Sequence, residues 1–462
     1  MDIPNDFKIK TKICLDDSYD LLEQALQEES PVSIRLNPSK HTAMPIAGYE
    51  KVKWCDTGYY LPERPSFTFD PLFHAGCYYV QEASSMFLEQ AVKQYLTKPV
   101  VCLDLCAAPG GKSTHLQSIL PVNSLLVSNE VIHSRAGVLK ENLIKWGSPY
   151  TIVTCNDPKD IGKLTHLFDV IVADLPCSGE GMFRKDKKSR NEWSVDHVRM
   201  CAARQRRIIH DVWASLKPGG LLVYSTCTFN REENEENIRH FIEHYNAEIL
   251  PVSVEANWNI CPAIDESFPM YRFYPHRIKG EGFSFALLKK PDAQCKIQSN
   301  RLKGVKGMST VQNPTHYAKR FVQGSIFNMI RLFNISNIQL FTIRYGIHAI
   351  PAVSYDTYLL LSHHLRVLYA GILVGEMNGN EVHPSPALAL SACLRNDAFP
   401  AVEMSLADSI RYLQKESLVL PGDVPRGFVV VKYRNTPLGF VKNIGTRANN
   451  LYPQEWKIRR KT

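Results

Sequence analysis

The sequence has no long apolar run and no segment typical of a secretory signal. Its most apolar stretch, between Tyr358 and Val374, is interrupted by His363, His364 and Arg366, which makes it unsuitable as a membrane helix. The amino terminus, MDIPNDFKIK, has no apolar segment behind its charged residues. These absences predict a cytoplasmic protein that does not act at a membrane.

The twelve cysteines are scattered irregularly and include no C-x-x-C pair. Irregular spacing in a chain of 462 residues is typical of reduced thiols rather than of a disulfide framework. A structural zinc site usually needs paired ligands at short spacing, so no metal is expected.

An excess of positive charge is absent from most of the chain and is concentrated at its end. Residues 426–462 contain nine lysines and arginines and one acid, Glu455, which accounts for the whole formal charge of +8. A composition with 44% apolar and 22% charged residues is that of a soluble globular protein and excludes disorder as its main character. A basic module attached to a neutral body predicts a polyanionic partner.

Between residues 96 and 290, short apolar runs alternate with helical patterns, which predicts a doubly wound α/β domain with a mostly parallel sheet. The predicted strands are VVCLDL at Val100, SLLVSNE at Ser124, TIVTCND at Thr151, FDVIVADLP at Phe168, GLLVYSTC at Gly220 and FSFALLKK at Phe283. Predicted helices begin at Ser134, Val195 and Arg231, and the second is expected to run up to a stop signal at Pro218-Gly219-Gly220.

Four further segments are predicted around this domain. Residues 1–95 form a unit of their own, with a helix from Ser18 to Glu29 and a strand-like segment from Arg35 to Pro38. Polar residues 291–310 suggest a linker, and residues 311–385 an intermediate α+β domain with strand-like pieces at IQLFTIRYG and LRVLYAGILVGEM. The basic module, 386–462, contains a predicted hairpin around Asn435 to Pro437.

The loop from Cys106 to Ser113 follows the first strand of the α/β domain and opens a helix, which is where such sheets bind ligands. Its small residues let the backbone approach a ligand closely. Gly111-Lys112-Ser113 resembles the end of a phosphate-binding P-loop, but Cys106 stands where the first glycine of that motif is required. The dinucleotide pattern G-x-G-x-x-G is also absent.

Acidic residues follow four predicted strands, and parallel strands would place all four at one edge of the sheet. A carboxylate after the second strand is placed to accept hydrogen bonds from ribose hydroxyls, and one after the third to accept from an adenine amino group. Each acid alone is equally explained as a turn or helix cap. Together they predict an adenosine ligand and, without a phosphate loop, S-adenosylmethionine. The four acids are Asp104, Glu130, Asp157 and Asp174.

Two cysteines, Cys177 and Cys227, also follow predicted strands and should emerge at the same edge. C5 of cytosine is too weakly nucleophilic to attack a sulfonium methyl group, and addition of a thiolate at C6 activates it. Asp174 suits a contact near N3 of the base, and Lys112 could orient or help ionise the surrounding groups. Zinc-dependent cytosine deamination is excluded because Glu180 stands where its second cysteine is required. The spacing alone does not decide which thiol attacks.

These motifs resemble those of the Nop/Sun family of RNA (cytosine-5)-methyltransferases, most closely the bacterial F type that modifies 16S rRNA. The similar segments in the α/β domain are LDLCAAPGGKSTH, DLPCSGEGMFRK and YSTCTF, with SIRLNP, YYVQEASSM and LGFVKNIGTRANNLYPQEW in the flanking units. Leu175 departs from the family, which usually has a smaller residue there.

The resemblance implies a Rossmann-like S-adenosylmethionine-dependent methyltransferase domain, a small ferredoxin-like α+β domain before it and a mostly-β PUA-like RNA-binding region after it. It implies that Cys227 is the nucleophile and that Cys177 assists release of the methylated RNA. The residues that it assigns to the cofactor are Cys106, Ala107, Ala108, Pro109, Gly110, Gly111, Lys112, Glu130, Asp157 and Asp174.

The predicted function is therefore methylation of cytidine C5 in RNA, with small-subunit rRNA as the favoured substrate and a monomer as the expected state. No DNA partner is expected. Two alternatives stay open: the same chemistry on tRNA, and a ribosome-assembly factor whose methyltransferase fold is vestigial.

Overall fold

The computed structural model describes residues 3–40, 48–264, 268–292, 329–378 and 381–460. The predicted linker, apart from its first two residues, and the start of the predicted intermediate domain lie outside these ranges. Within them, no helix is both long enough and apolar enough to cross a lipid bilayer.

The N-terminal unit is a small α+β fold, as predicted. Its helices α1 to α4 are Asn5–Leu15, Tyr19–Ala25, Pro71–His74 and Leu88–Tyr95. Its strands β1 to β3, in the antiparallel order β2-β1-β3, are Val32–Leu36, Gly58–Leu61 and Tyr78–Val80. The strand predicted at Arg35 ends at Leu36, because the Asn37 side chain leaves the ladder and donates to the carbonyls of Gly76 and Trp146.

All six predicted strands of the α/β domain are present in the central sheet. Strands β4 to β11 are Val101–Asp104, Leu125–Asn129, Thr151–Thr154, Phe168–Asp174, Leu216–Thr226, Glu248–Leu250, Tyr271–Phe273 and Phe283–Lys289. Helices α5 to α10 are Gly111–Ile119, His133–Trp146, Pro158–Gly162, Lys187–Glu192, Val195–Val212 and Glu235–Tyr245.

The sheet has the order β10-β11-β8-β7-β4-β5-β6, with β4 to β8 parallel. From β4 the chain runs outward through β5 and β6, and β7 then starts the other half on the opposite side of β4. The strand order therefore reverses between β4 and β7, which is where open α/β sheets bind ligands. Alternate residues face two apolar cores, with Leu103 and Ile171 in one and Cys102 and Val170 in the other.

Three predicted helix boundaries are wrong. In the N-terminal unit, α2 ends at Ala25, four residues before the predicted end at Glu29. Helix α9 ends at Val212, and after a 3₁₀ turn β8 begins at Leu216, so Pro218-Gly219-Gly220 lies in the strand. The register between β7 and β8 shifts between Phe168 and Val170, and Gly219 has φ +71°, so this irregular start of the strand accommodates the proline and glycines. Helix α10 begins at Glu235, four residues after the predicted start at Arg231.

The unit that follows the α/β domain contains a four-stranded antiparallel sheet and contributes one further strand to the central sheet. Strands β12 to β16 are Ile338–Ile343, Gly346–Pro351, Val367–Ala370, Ile372–Asn378 and Glu381–Pro384, and helices α11 and α12 are Ala352–His364 and Pro386–Ala389. Strands β12, β13, β15 and β16 form the unit's own sheet, and β14 pairs with β6. The strand-like piece LRVLYAGILVGEM divides at Gly371, where φ is +61° and a Cβ would lie 2.1 Å from the Ala349 carbonyl oxygen.

The basic module is mostly β, as predicted. Its helix α13 is Leu406–Leu413, and its strands β17 to β20 are Ala401–Glu403, Gly427–Tyr433, Thr436–Asn443 and Ala448–Asn450. The predicted hairpin is formed by β18 and β19, joined by Arg434 and Asn435 with φ of 48° and 61°. Val431 and Val441 of this hairpin share an apolar core with Leu72 of the N-terminal unit, so the two ends of the chain pack together.

Candidate active site

A cavity of about 330 Å³ opens at the carboxyl ends of β4 and β7, where the strand order reverses. The N-terminal unit supplies part of its wall through Tyr79, Gln81 and Glu82. The predicted site residues that line it are Cys106, Ala107, Ala108, Pro109, Gly111, Lys112, Asp174 and Cys227. The sheet edge therefore brings together most of the residues that the sequence singled out.

The loop between β4 and α5 is held in place by its neighbours through its backbone. The Ala107 amide donates to the Asn129 carbonyl, and the Asn142 side chain donates to the Pro109 carbonyl. Gly110 precedes α5 with φ +117°, a conformation that favours glycine. A Cβ on Gly111 would lie 3.4 Å from the Tyr79 ring. The loop thus has a fixed shape, with small residues at the points of closest approach.

Lys112 and Asp174, which both line the cavity, form an ion pair with 2.8 Å between Nζ and Oδ2. The other carboxylate oxygen, Oδ1, accepts a hydrogen bond of 2.8 Å from the Ser225 hydroxyl. The Lys112 Nζ also lies 5.0 Å from the centre of the Phe283 ring. These contacts fix the direction of the Asp174 carboxylate toward the cavity that it lines.

Asp104 is completely buried at the end of β4. Its Oδ2 accepts a hydrogen bond of 2.6 Å from Ser113, and its Oδ1 has no partner among the described residues. Burial raises the pKa of Asp104 to about 7. Asp104 is not among the residues that line the cavity, so a contact between its unpartnered oxygen and a bound ligand stays a prediction.

Glu130 and Asp157 lie at the same edge of the sheet and are not among the residues that line the cavity. Glu130 is buried, and its carboxylate accepts from the Ile132 amide at 2.9 Å and lies 3.5 Å from Arg135 Nη1. Asp157 is exposed and caps α7 by accepting from the Lys159 amide at 3.0 Å. The helix-cap explanation thus applies to Asp157, and its contact with adenine stays a prediction.

Cys177 and Cys227 are in direct contact, with 3.0 Å between their sulfur atoms. The Cys227 amide also lies 3.3 Å from the Cys177 sulfur, to which it donates. Hydrogen bonding to Cys227, together with burial, raises the pKa of Cys177 well above its ordinary value. Because Cys227 lines the cavity and Cys177 does not, the two thiols have different access to a substrate.

Two buried acids that the sequence did not single out hold the two thiol-bearing loops together. Glu233 accepts from the Ser178 amide at 3.1 Å, and Glu180 accepts from the Phe229 and Asn230 amides at 2.6 and 2.9 Å. The sequence predicts a helix that begins at Arg231, with the acids near Glu233 in its first turn, where the helix dipole favours them. Since α10 begins only at Glu235, Glu233 lies in the preceding turn and faces inward.

One other group of described side chains could in principle ligate a metal: Cys55, Glu89 and His115, all buried. The ligand atoms of Glu89 and His115 are already hydrogen-bonded to each other at 3.0 Å. Lys93 Nζ lies 2.7 Å from the other Glu89 oxygen, so this carboxylate already has a cationic partner. The three side chains form a hydrogen-bonded group that joins α4 to α5.

Comparison with known proteins gives three matches to family models. The family described as 16S rRNA methyltransferase RsmB/F matches residues 96–289. The N-terminal domain of 16S rRNA methyltransferase RsmF matches residues 3–83, and the methyltransferase RsmF PUA domain matches residues 399–458.

Two curated relatives carry the name ribosomal RNA small subunit methyltransferase F. The relative from Cronobacter sakazakii is 30% identical over 414 residues, 87% of this chain and 84% of the relative. The relative from Salmonella arizonae is 29% identical over 458 residues, 95% of this chain and 92% of the relative.

Two solved structures from Pyrococcus horikoshii are similar to the chain. A methyltransferase homolog protein is 27% identical with a TM-score of 0.53, covering 61% of this chain and 93% of that one. NSun6 with SFG is 20% identical with a TM-score of 0.54, covering 62% of this chain and 98% of that one, and it indicates the fold alone.

The buried Asp104 predicts a pH dependence of stability. Because its pKa is about 7 in the folded state and about 3.9 in an unfolded chain, the folded state binds the proton more tightly. The free energy of unfolding should therefore fall as the pH rises from about 4 to about 7. Replacing Asp104 by Asn removes this loss, so the variant should gain on the order of 2 to 3 kcal/mol relative to the parent between pH 5 and pH 8.

Urea unfolding of the parent and the Asp104→Asn variant at pH 5 and at pH 8, without any added ligand, measures this difference in stability. Asp157→Asn is the matched control, since Asp157 is exposed and Asn also caps helices well. A stability difference for Asp104→Asn that is the same at pH 5 and pH 8 would contradict the prediction.

Proposed function

We propose that this chain, which belongs to the RsmB/F family of 16S rRNA methyltransferases, transfers a methyl group from S-adenosylmethionine to C5 of a cytidine in small-subunit rRNA. The observation that carries the proposal is the contact of 3.0 Å between the Cys177 and Cys227 sulfurs beside a cavity shared with Lys112 and Asp174. Methylation of a ring or ribose oxygen or nitrogen needs no thiol, whereas methylation of cytosine C5 needs a thiol that adds to C6. The second thiol, in contact with the first, is placed to assist release of the adduct.

The residues at the edge of the sheet fit S-adenosylmethionine. The unpartnered Asp104 oxygen and the small residues of the loop from Cys106 to Lys112 offer an acceptor and room for close approach. Glu130 follows β5, where an acid suits the ribose hydroxyls. The bound cofactor would supply the electrophilic methyl group.

Cys227 is the proposed nucleophile because its side chain lines the cavity. Its sulfur adds to C6 of the cytosine, and Asp174, oriented by Lys112 and Ser225, hydrogen-bonds the base near N3 as the adduct forms. C5 then takes up the methyl group, and the bond between that methyl carbon and the donor sulfur breaks. A base removes the C5 proton, the C6 to sulfur bond breaks, and Cys177 assists release from its position against Cys227.

The target cytidine must be unpaired or flipped out, since C5 and C6 are inaccessible inside a stacked helix. The basic module would hold the surrounding RNA through phosphate contacts. Arg434, Arg447 and Arg459 are exposed on it and suit such contacts.

No structural observation favours the alternative of an assembly factor with a vestigial site. Such a site has no need to retain Lys112, Asp174, Cys177 and Cys227, and all four are present and close together. The names of the relatives favour rRNA over tRNA.

The purified chain, incubated with a tritium-labelled methyl donor, should label small-subunit rRNA or the assembled subunit, and digestion should release the label as 5-methylcytidine. Free rRNA, assembled subunits and tRNA serve as parallel substrates. Label in tRNA alone would contradict the substrate assignment. A folded protein that binds the donor by calorimetry and labels no RNA would favour the assembly factor.

The two thiols should behave differently when each is replaced by serine. Cys227→Ser should lose both methyl transfer and any covalent complex, because the nucleophile is gone. Cys177→Ser should still attack the base and fail to release it, so a protein–RNA adduct should accumulate on a denaturing gel. Cys393→Ser, at a buried cysteine outside the α/β domain, is the control. Adduct accumulation in Cys227→Ser instead would reverse the two roles.

RNA affinity should depend on the exposed arginines of the basic module. A variant with Arg434, Arg447 and Arg459 replaced by Gln should bind RNA more weakly. The slope of log affinity against log salt should fall by about 0.7 to 0.9 for each phosphate contact removed. The full chain is needed, because β18 and β19 share a core with the N-terminal unit and truncation would expose it.

The control variant makes the same change in charge at exposed positions on the α/β domain. Equal losses of affinity in both variants would mean that the position of the basic residues is irrelevant. The control substitutions replace with Gln the residues Lys98, Lys163 and Arg199.

A further inference from the structure

The carboxyl group of Glu233 accepts hydrogen bonds from both of the loops that carry the two thiols. One oxygen accepts from the Ser178 amide at 3.1 Å and from Gln205 Nε2 at 2.7 Å. The other accepts from Asn230 Nδ2 at 2.8 Å. Ser178 directly follows Cys177, and Asn230 belongs to the loop that begins at Cys227. A single buried carboxyl therefore connects the two loops to each other and to α9.

The hydrogen-bond donors to Glu233 are all neutral, although the group is completely buried. No ion pair to Glu233 is present among the described residues, which contrasts with Asp174 and its partner Lys112. Burial raises the pKa of Glu233 to about 7. Its charge is therefore poorly compensated and changes near neutral pH.

The other ionisable groups around Glu233 come from each neighbouring element. Glu180, in the loop after Cys177, disfavours a negative charge on Glu233. Burial, and in addition the negative charge of Glu233, raises the pKa of Cys201 in α9 and of Tyr224 in β8. Arg206 of α9 turns its guanidinium to Asn237, to which its Nε donates at 2.6 Å.

We propose that Glu233 is a positioning residue for the covalent step: its carboxyl clamps the Cys177 loop to the Cys227 loop, and its negative charge opposes ionisation of the thiol pair. A thiolate and a carboxylate in the same buried region repel each other. Protonation of Glu233 removes that repulsion and leaves the clamp in place, since a neutral carboxyl still accepts hydrogen bonds. The catalytic relevance of this role rests on the proposed function.

Glu233→Gln separates the charge from the clamp, because glutamine has nearly the same shape and no charge. Glu180→Gln is the matched control: Glu180 is equally buried and also accepts from Asn230, at 3.1 Å. A purely structural role would give both variants a similar loss of activity and no change in the pH dependence of the thiols.

The test is the rate of alkylation of the Cys177 and Cys227 pair by iodoacetamide as a function of pH, measured for each thiol by peptide mass spectrometry on the full chain without RNA or methyl donor. Glu233→Gln should shift the midpoint of this profile down by about one pH unit, a tenfold change in the thiolate equilibrium. Glu180→Gln should shift it less, because the Glu180 carboxylate is turned toward Trp193 Nε1 and the Phe229 and Asn230 amides. An unchanged midpoint in Glu233→Gln, or equal shifts in both variants, would overturn the proposal.

Glu233→Asp provides a second measurement, because it keeps the negative charge at this junction and shortens the side chain by one methylene group. Its midpoint should stay near that of the parent chain. A downward shift in Glu233→Asp as large as that in Glu233→Gln would assign the effect to lost contacts and count against the proposal. Because alkylation requires no methyl transfer, a failure of the proposed enzyme activity would be seen separately.

Discussion

The pairing of β7 with β8 is the constraint on which the site depends. Asp174 and Ser225 lie opposite each other at the ends of these strands, and Cys177 and Cys227 follow three and two residues later. A shift of this register by one residue would turn every side chain to the opposite face of the sheet. The same pairing therefore brings Asp174 to its hydroxyl partner and the two sulfurs into contact. The strand pairing ends at Asp174 and Ser225. The buried carboxyls of Glu180 and Glu233 then hold together the two loops that follow.

The N-terminal unit completes this site from the other side. Its Arg35 is fully buried and donates to Gln81 of its own unit and to Thr114 of α5, at 2.8 and 2.6 Å. Its guanidinium also stacks 4.5 Å from the Trp146 ring. Since α5 carries Lys112, the N-terminal unit fixes the helix that orients the Asp174 carboxylate. The basic module packs on the same unit, so the element proposed to hold RNA and the element that holds the ion pair both contact the N-terminal unit.

The sequence predicts the central sheet well because apolar runs bounded by turn residues are a local signal. It also predicts the cluster of Cys106, Lys112, Asp174 and Cys227, because parallel strands place their carboxyl ends at one edge. Which thiol reaches the cavity depends on loop geometry, and no local pattern contains that information. The resemblance to known enzymes supplied that assignment.

Other features could not be predicted because long-range contacts decide them. Side-chain polarity does not indicate that any of the acids before α10 is buried. Glu233 is buried only because donors from α9 and two loops converge on it. A run such as LRVLYAGILVGEM contains no sign that its two halves belong to different sheets. The difference arises at Gly371, where only a residue without a side chain fits against the Ala349 carbonyl.

The pairing of β14 with β6 has a consequence during synthesis of the chain. Strand β6 would be an unpaired sheet edge without β14, and bare edges promote association between chains. Synthesis proceeds from the amino terminus, so β6 remains uncovered until residues 367–370 have left the ribosome. Throughout that interval the sheet that bears both thiols is open to pairing with another strand. The later unit thus acts as an intramolecular cover for the domain made before it.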